Sequence, residues 1–344
     1  MLHINHKLAL LLYYVLISFL ITSCSPTDQK MQWALKNTGQ DINGSIGIKG
    51  IDIEYMGTEP STKATIAIID SGFINSPYLK EQIFINIGEI KDDGIDNDGN
   101  GFIDDWCGWD FSLGKCIDYT SITNSHGTEI AHIIASNSDQ YIGVTSNAKL
   151  INIKIDEEDI SPEILVQAIN YVESLGANIV NLSLSLPNDS DLLYTTIKNS
   201  KMLFVCAAGN DHKQTCTLPA RYELENVISV GGITNKGTIS AFSNFGNDIE
   251  IGAPGEDILV IDINLNAHFS SGSSYATAFV SGIACELVSL SSFKLTAPQI
   301  KELLLKSAKT EITLNGYIQN ARIVSMEKAL ALLVQEQKNN TNDS

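Results

Sequence analysis

The residues best suited to chemistry begin at Gly272-Ser273-Ser274-Tyr275-Ala276-Thr277-Ala278, which opens directly onto the apolar run Phe279-Val280-Ser281-Gly282-Ile283-Ala284. A small-residue turn before such a run places Ser274 in the first turn of a buried helix. There, unpaired backbone N–H groups and the positive end of the helix dipole favour an oxyanion. A serine attacks a carbonyl well only with a base beside it and a group that holds the base in place. Two stretches earlier in the chain offer the right residue types. Asp70 ends the run Ala64-Thr65-Ile66-Ala67-Ile68-Ile69 and precedes Ser71-Gly72, and His126 stands in Asn124-Ser125-His126-Gly127-Thr128, ahead of a helical apolar pattern. Alone, each has a plain structural reading, since an aspartate before glycine is common in turns and a lone histidine is usually structural. Their weight comes from being combined.

The elements that would position them alternate along the chain. The β-branched run before Asp70 is apolar on both faces and predicts a central parallel strand, with Asp70 at the C-terminal end where open α/β sheets keep their sites. Strand-like Lys149 to Ile155 precedes a helix opening at Ser161-Pro162-Glu163 and running to about Leu175. Strand-like Ala177 to Leu184, a helix around Ser190 to Asn199, and the buried strand Lys201 to Ala207, ending in Ala208-Gly209-Asn210, follow. Val227 to Val230 and Ile249 to Ile251 read as shorter strands. After the Ser274 helix come helices from Thr296-Ala297-Pro298 to about Ser307 and from Ser325 to Leu333, with a loose polar tail over 336–344. Strand and helix in alternation predict an α/β fold with a mainly parallel sheet covered on both faces.

Asp70-Ser71-Gly72, His126-Gly127-Thr128, Ala208-Gly209-Asn210 and Gly272-Ser273-Ser274-Tyr275-Ala276 occur in that order, each where a strand ends or a helix begins. Together they resemble the boxes of subtilisin-like serine proteases, the subtilases, whose Asp, His, Ser order the chain matches. Val180-Asn181-Leu182-Ser183-Leu184, Phe242-Ser243-Asn244-Phe245-Gly246 and Ala253-Pro254-Gly255 are similar to further subtilase segments, so the resemblance extends from Met31 to about Leu333. It implies Ser274 as nucleophile, His126 as general base, Asp70 as its orienting carboxylate and Asn210 as an oxyanion-hole amide. It also implies that Ser183, Leu184 and Ser185 pair with an extended protein or peptide substrate. Departures from the family pattern are Ser273 for threonine, Tyr275 for methionine, Ala278 for proline and Phe279 for histidine. His132 and Ser185 stand where glycines are usual, and His132 predicts looser packing of its helix. None removes a reacting group. The implied activity is that of a serine endopeptidase; a subtilase fold kept as an inactive binding surface, or a structural calcium-binding lipoprotein, are the alternatives.

An acidic, Gly-rich insertion at about 86–119 contains Asp96, Asp98 and Asn100, then Gly101 and Asp104, the spacing of the first part of a calcium loop. Cys107 occupies the place of the usual final glutamate, and Asp105 is an alternative to Asp104. Calcium is the expected cofactor, since these carboxylates would otherwise repel one another; calcium-stabilised subtilases carry similar insertions.

At the start, His3, His6 and Lys7 precede an apolar run from Leu8 to Ile21 that ends at Thr22-Ser23-Cys24. This resembles a bacterial lipoprotein signal over 1–23, with Cys24 as the lipid-bearing residue and 24–30 as a tether to a domain over 31–335. The implied location is the cell envelope, lipid-anchored and facing away from the cytoplasm; an ordinary secretory signal or an uncleaved anchor helix are the competing readings. The short interval between Cys24 and Trp33 has no room for the folded prosegment of many secreted relatives, so unaided, partner-assisted or calcium-assisted folding is expected. In an oxidising compartment Cys107 with Cys116, and Cys206 with Cys216, could form local disulfides, while Cys285 reads as a core residue. Composition is that of an ordinary globular chain, 44% hydrophobic, with a formal charge of −18 and no basic stripe, which excludes nucleic acid as a natural partner.

Overall fold

A computed structural model describes residues 30–58, 62–156 and 160–342. Along it, β1 (Asp41–Ile42) and β2 (Ser45–Ile46) form a small hairpin. One large sheet contains β3 (Ala64–Asp70), β4 (Trp109–Asp110), β5 (Lys115–Cys116), β6 (Ala148–Lys154), β7 (Ile179–Leu182), β8 (Leu203–Ala207), β9 (Val227–Ile233) and β10 (Ile251–Pro254). A second hairpin, β11 (Ile258–Ile261) with β12 (Ala267–Ser270), follows, and β13 (Lys309–Thr310) and β14 (Arg322–Ile323) complete the large sheet. Its order is β13-β14-β10-β9-β8-β7-β3-β6-β4-β5, parallel everywhere between β14 and β4 and antiparallel only at its two outer pairs. The expected α/β architecture is therefore present.

The helices are α1 (His126–Ala135), α2 (Pro162–Ser174), α3 (Asp191–Asn199), α4 (Ser273–Leu290), α5 (Ala297–Ser307) and α6 (Met326–Asn342). Alternation along β3 divides the core. Ile66 and Ile68 face a cluster with Ile130 and Ile133 of α1, Val280 and Ile283 of α4, and Leu303 of α5, whereas Ala67 and Ile69 face Leu165 and Ile169 of α2 and Leu193 of α3. Helix α4 is buried along nearly its whole length because it runs through the first of these layers, and its few polar side chains, Glu286 among them, are buried with it. By length and composition it is the one helix among the described residues that could cross a membrane, yet 89% of it is buried inside the protein.

Chain order reverses beside β3, since β6 lies on one side of it and β7 to β10 run out on the other. Ligands of open α/β sheets bind at the crevice outside the strand ends where the order reverses. Here that crevice is bordered by Asp70, which ends β3, and by Ser183, which follows β7.

Two expectations need correction. Over its described residues the segment from Glu336 is not a loose tail, because α6 continues to Asn342 on the helix-forming residues Glu336, Gln337 and Lys338, and Gln337 Nε2 donates to the carbonyl of Leu290 at 3.4 Å. The strand expected at Ile249 to Ile251 lies at Ile251–Pro254, since Ile249 still belongs to the turn that Gly246 opens. The N-terminal segment through Gln29, and Cys24 with it, lies outside the described residues.

Candidate active site

Asp70 is carried into the crevice by β3, and α1 begins against the turn that follows it. A Cβ at Gly127 would sit 2.4 Å from the carbonyl oxygen of Gly72 and 3.1 Å from Asp70 Oδ1. Only glycine permits that approach, which brings His126 next to the aspartate. Asn124 Oδ1 accepts from the His126 N–H at 2.8 Å and so caps the helix from its side chain, while Ser125 occupies the cap position and turns its Oγ to the Ile263 N–H at 3.4 Å instead. The imidazole Nδ1 lies 2.8 Å from Asp70 Oδ1. Asp70 Oδ1 also accepts from the backbone N–H of Ser71 at 2.8 Å. The aspartate side chain is 1% exposed and the histidine 26%, so the carboxylate interacts through a dry medium while the imidazole remains reachable. A carboxylate oxygen can only accept, so Nδ1 is the nitrogen that carries the proton toward Asp70.

Ser274 occupies the first turn of α4, whose start is fastened to the loop after β8. Asn210 Oδ1 accepts from the Ser273 N–H at 2.9 Å, and the Gly209 N–H donates to Ser273 Oγ at 3.2 Å. Asn244 braces the same loop, donating from Nδ2 to the Ala208 carbonyl at 2.9 Å and accepting from the N–H groups of Asp211 and Lys213. With its amide oxygen on the Ser273 N–H, the exposed residue Asn210 keeps its Nδ2 beside Gly272, 3.7 Å from where a Cβ there would stand.

The structure brings Asp70, His126 and the Ser183 segment to one cavity of about 290 Å³, which Ser183, Leu184 and Ser185 line together with Ile155 and Ile160. The Ser274 hydroxyl does not bond to the imidazole; it donates to the Ser183 carbonyl at 3.3 Å, and Ser183 Oγ returns a bond to the Ser274 carbonyl at 3.1 Å. Asn181 Nδ2 supports Ser183 Oγ at 3.0 Å, so β7 and α4 are tied together at the crevice. Ser185 is exposed and donates to Thr217 Oγ1 at 2.9 Å. Two larger cavities, about 660 and 870 Å³, lie around α5 and the loop over 220–226 and contain no histidine or cysteine. Size does not choose the site; the pairing of acid and imidazole at the strand ends, with Ser274 bonded to the adjoining Ser183, does.

The acidic insertion gathers differently from its sequence spacing. Oxygens of Glu89, Asp96 and Asp98 all lie within 4.8 Å of one another. Asp104 is turned away and caps the N–H groups of Asp93 and Gly94 at 3.0 Å each. Asn100 donates from its amide to Asp98 and Asp105, and its oxygen accepts from the Phe102 N–H at 2.8 Å. Buried Asp105 is taken up by Asn86 and Asn100. Glu89 lies upstream of the loop motif, so spacing within the motif could not find it. Downstream, the thiols of Cys107 and Cys116 stand 2.9 Å apart, whereas Cys216 Sγ bonds to the Asp248 carbonyl at 3.3 Å.

His132, expected to loosen its helix, is fully buried and bonded at both nitrogens, to the Ile261 carbonyl at 3.2 Å and to Ser76 Oγ at 2.9 Å. The carbonyl can only accept, so Nδ1 donates to it and Nε2 accepts from the serine. Burial lowers the imidazole's pKa to about 4. The side chain that replaces a glycine thus fastens α1 to the β11–β12 hairpin instead of prising it away.

The profile of the Subtilase family matches residues 61–339. The chain is 29% identical over 291 residues to the cell wall-associated protease of Bacillus subtilis, covering 80% of this chain but only 29% of that protein. To the major intracellular serine protease of the same organism it is 32% identical over 250 residues, covering 69% of this chain and 68% of the relative. The crystal structure of a cold adapted subtilisin-like serine proteinase superposes with a TM-score of 0.65 at 22% identity, covering 86% of this chain and 97% of that one. On the strength of the matched profile and of a relative covered over two thirds of its length, the chain belongs to the subtilase family.

Proposed function

We propose that this subtilase is a serine endopeptidase in which Ser274 attacks the scissile carbonyl. The observation that carries the reading is the buried Asp70 held 2.8 Å from His126 Nδ1, at the crevice where α4 presents Ser274 beside Asn210. In the working cycle the Ser274 hydroxyl exchanges the Ser183 carbonyl for His126 Nε2, a contact that free enzymes often make only when substrate is bound. The imidazole then takes the hydroxyl proton as the oxygen attacks the carbonyl. Asp70 holds the resulting imidazolium by its Nδ1–H. Asn210 Nδ2 and the Ser274 backbone N–H donate to the oxyanion. The imidazolium next passes its proton to the departing amine, leaving an acyl-serine, and water attacks that ester by the same route to release the acid and restore the hydroxyl. The segment Ser183 to Ser185 is positioned to hold an extended polypeptide by main-chain hydrogen bonds. Incubation of the full chain with an unfolded protein tests this: fragments should accumulate, and a Ser274→Ala chain that cuts equally well would end the proposal.

The acidic insertion fits a calcium ion. Glu89 Oε1 is engaged by the N–H groups of Asn97 and Asp98, but its Oε2 is buried without a partner, next to Asp96 and Asp98. A hard cation with oxygen ligands would satisfy that atom and offset the mutual repulsion of the three carboxylates. Glu89, Asp96 and Asp98 would hold it, and it would fix the loop that leads into β4 without taking part in the reaction. The N-terminal apolar run ending at Cys24 supports export and lipid anchoring in a bacterial envelope, with the catalytic domain acting on proteins outside the cytoplasm.

A further inference from the structure

The base and the nucleophile sit on different helices, and one buried hydrogen bond joins those helices close to both. Tyr275, next to Ser274 on α4, donates its phenol hydroxyl to Oε2 of Glu129 at 2.7 Å; Glu129 lies one turn beyond His126 on α1. Both side chains are buried, Tyr275 5% and Glu129 6% exposed. Neither end of the bond is free to wander. Ser270 Oγ lies 2.8 Å from the phenol oxygen, and His268 Nε2 lies 3.4 Å from Glu129 Oε1, so β12 grips the pair from the side. The tyrosine ring also stands 6.1 Å from the His126 imidazole, centroid to centroid. Burial and the neighbouring carboxylate both raise the phenol's pKa, which keeps it a proton donor.

We propose that Tyr275 and Glu129 are positioning residues that set the separation of Ser274 from His126. A charge-assisted bond in a dry setting is short, directional and costly to break, because a buried carboxylate is then left underused. Its two anchor points are one and three residues from the reacting groups. A displacement of about 1 Å between reacting atoms costs on the order of 100-fold in rate, so a tether this close acts on the chemical step. The tyrosine stands where the family pattern carries methionine, which could not donate to a carboxylate.

This inference rests on Ser274 being the nucleophile. The test is a double-substitution cycle, Tyr275→Phe, Glu129→Gln and both together, read as kcat and KM on a peptide substrate and as the rate of Ser274 labelling by a fluorophosphonate. Each single change should lower kcat and the labelling rate about 10-fold with KM little altered, and the double variant should be no slower than the singles. Parent-like kcat in folded Tyr275→Phe and Glu129→Gln, a loss confined to KM, or losses that multiply in the double variant would overturn the tether. Should Tyr275→Phe fail to fold, Glu129→Gln alone decides by the same kcat and KM criterion. A parent chain that never labels refutes the nucleophile assignment instead, so the two failures are distinguishable.

Discussion

Lowering the pH should unfasten α1 through His132, a residue outside the reacting groups. Folded, its imidazole has a pKa of about 4 against 6.5 when unperturbed, with burial as the leading cause. Between those values the unfolded chain binds the proton and the folded chain does not. Stability is therefore complete above pH 6.5 and falls as the pH drops toward 4. The full difference is on the order of 3 kcal/mol, and about 2 kcal/mol of it is lost between pH 7.5 and pH 5. Nearly complete burial means that solvent screening does little to reduce it. The assay is urea unfolding at both pH values in a Ser274→Ala background, which prevents self-digestion, with and without His132→Gln. Glutamine offers a donor and an acceptor but cannot be charged, so the His132→Gln chain should lose about 2 kcal/mol less stability on acidification. Equal losses in the two chains would show that His132 is solvated or already paired in its charged form, and the account of its burial would fail.

Other outcomes follow from the same geometry. Asn210→Ala should lower kcat about 10²- to 10³-fold with little change in KM, a magnitude taken over from the corresponding amide of subtilisin; an unaltered kcat would remove Asn210 from the oxyanion site. Calcium at about 100 times its Kd should stabilise the chain by about 2.7 kcal/mol, roughly 5 °C in Tm. EDTA should reverse this, and Glu89→Gln should abolish most of the EDTA response; a parent Tm indifferent to EDTA, with no metal on elemental analysis, argues against the ion. Cys24→Ala should release the protein from the membrane fraction, and a variant that fractionates and migrates like its parent contradicts the lipid anchor.

Much of this site is legible in the sequence because its elements are unambiguous. The run before Asp70 is too uniformly β-branched to be anything but a buried strand, and the apolar stretch after Ser274 is too long to be one. Less visible is the β11–β12 hairpin, whose four-residue strands carry no strong alternation, though it supplies Ser270 and His268 and receives His132. Glu89 escapes because a ligand that folds back from upstream has no fixed spacing to the loop. The Ser274 bond to the Ser183 carbonyl is equally hidden, since it joins two helix-and-strand ends by tertiary packing. Tyr275 and His132 do leave a trace: both depart from the family pattern, and both turn out to make polar contacts between α1 and its neighbours. Two polar replacements near one seam are a signal that reading each departure singly does not capture.

The central claim is that the alcohol at the start of α4 becomes nucleophilic because an acid-backed imidazole removes its proton. It is tested most directly by treating the folded full-length chain with a fluorophosphonate and locating the adduct by mass spectrometry. A single adduct on Ser274, lost in Ser274→Ala and formed at least 100-fold more slowly in His126→Ala, as expected of a general base, is the predicted result. No adduct, or one that forms equally fast without His126, would contradict it.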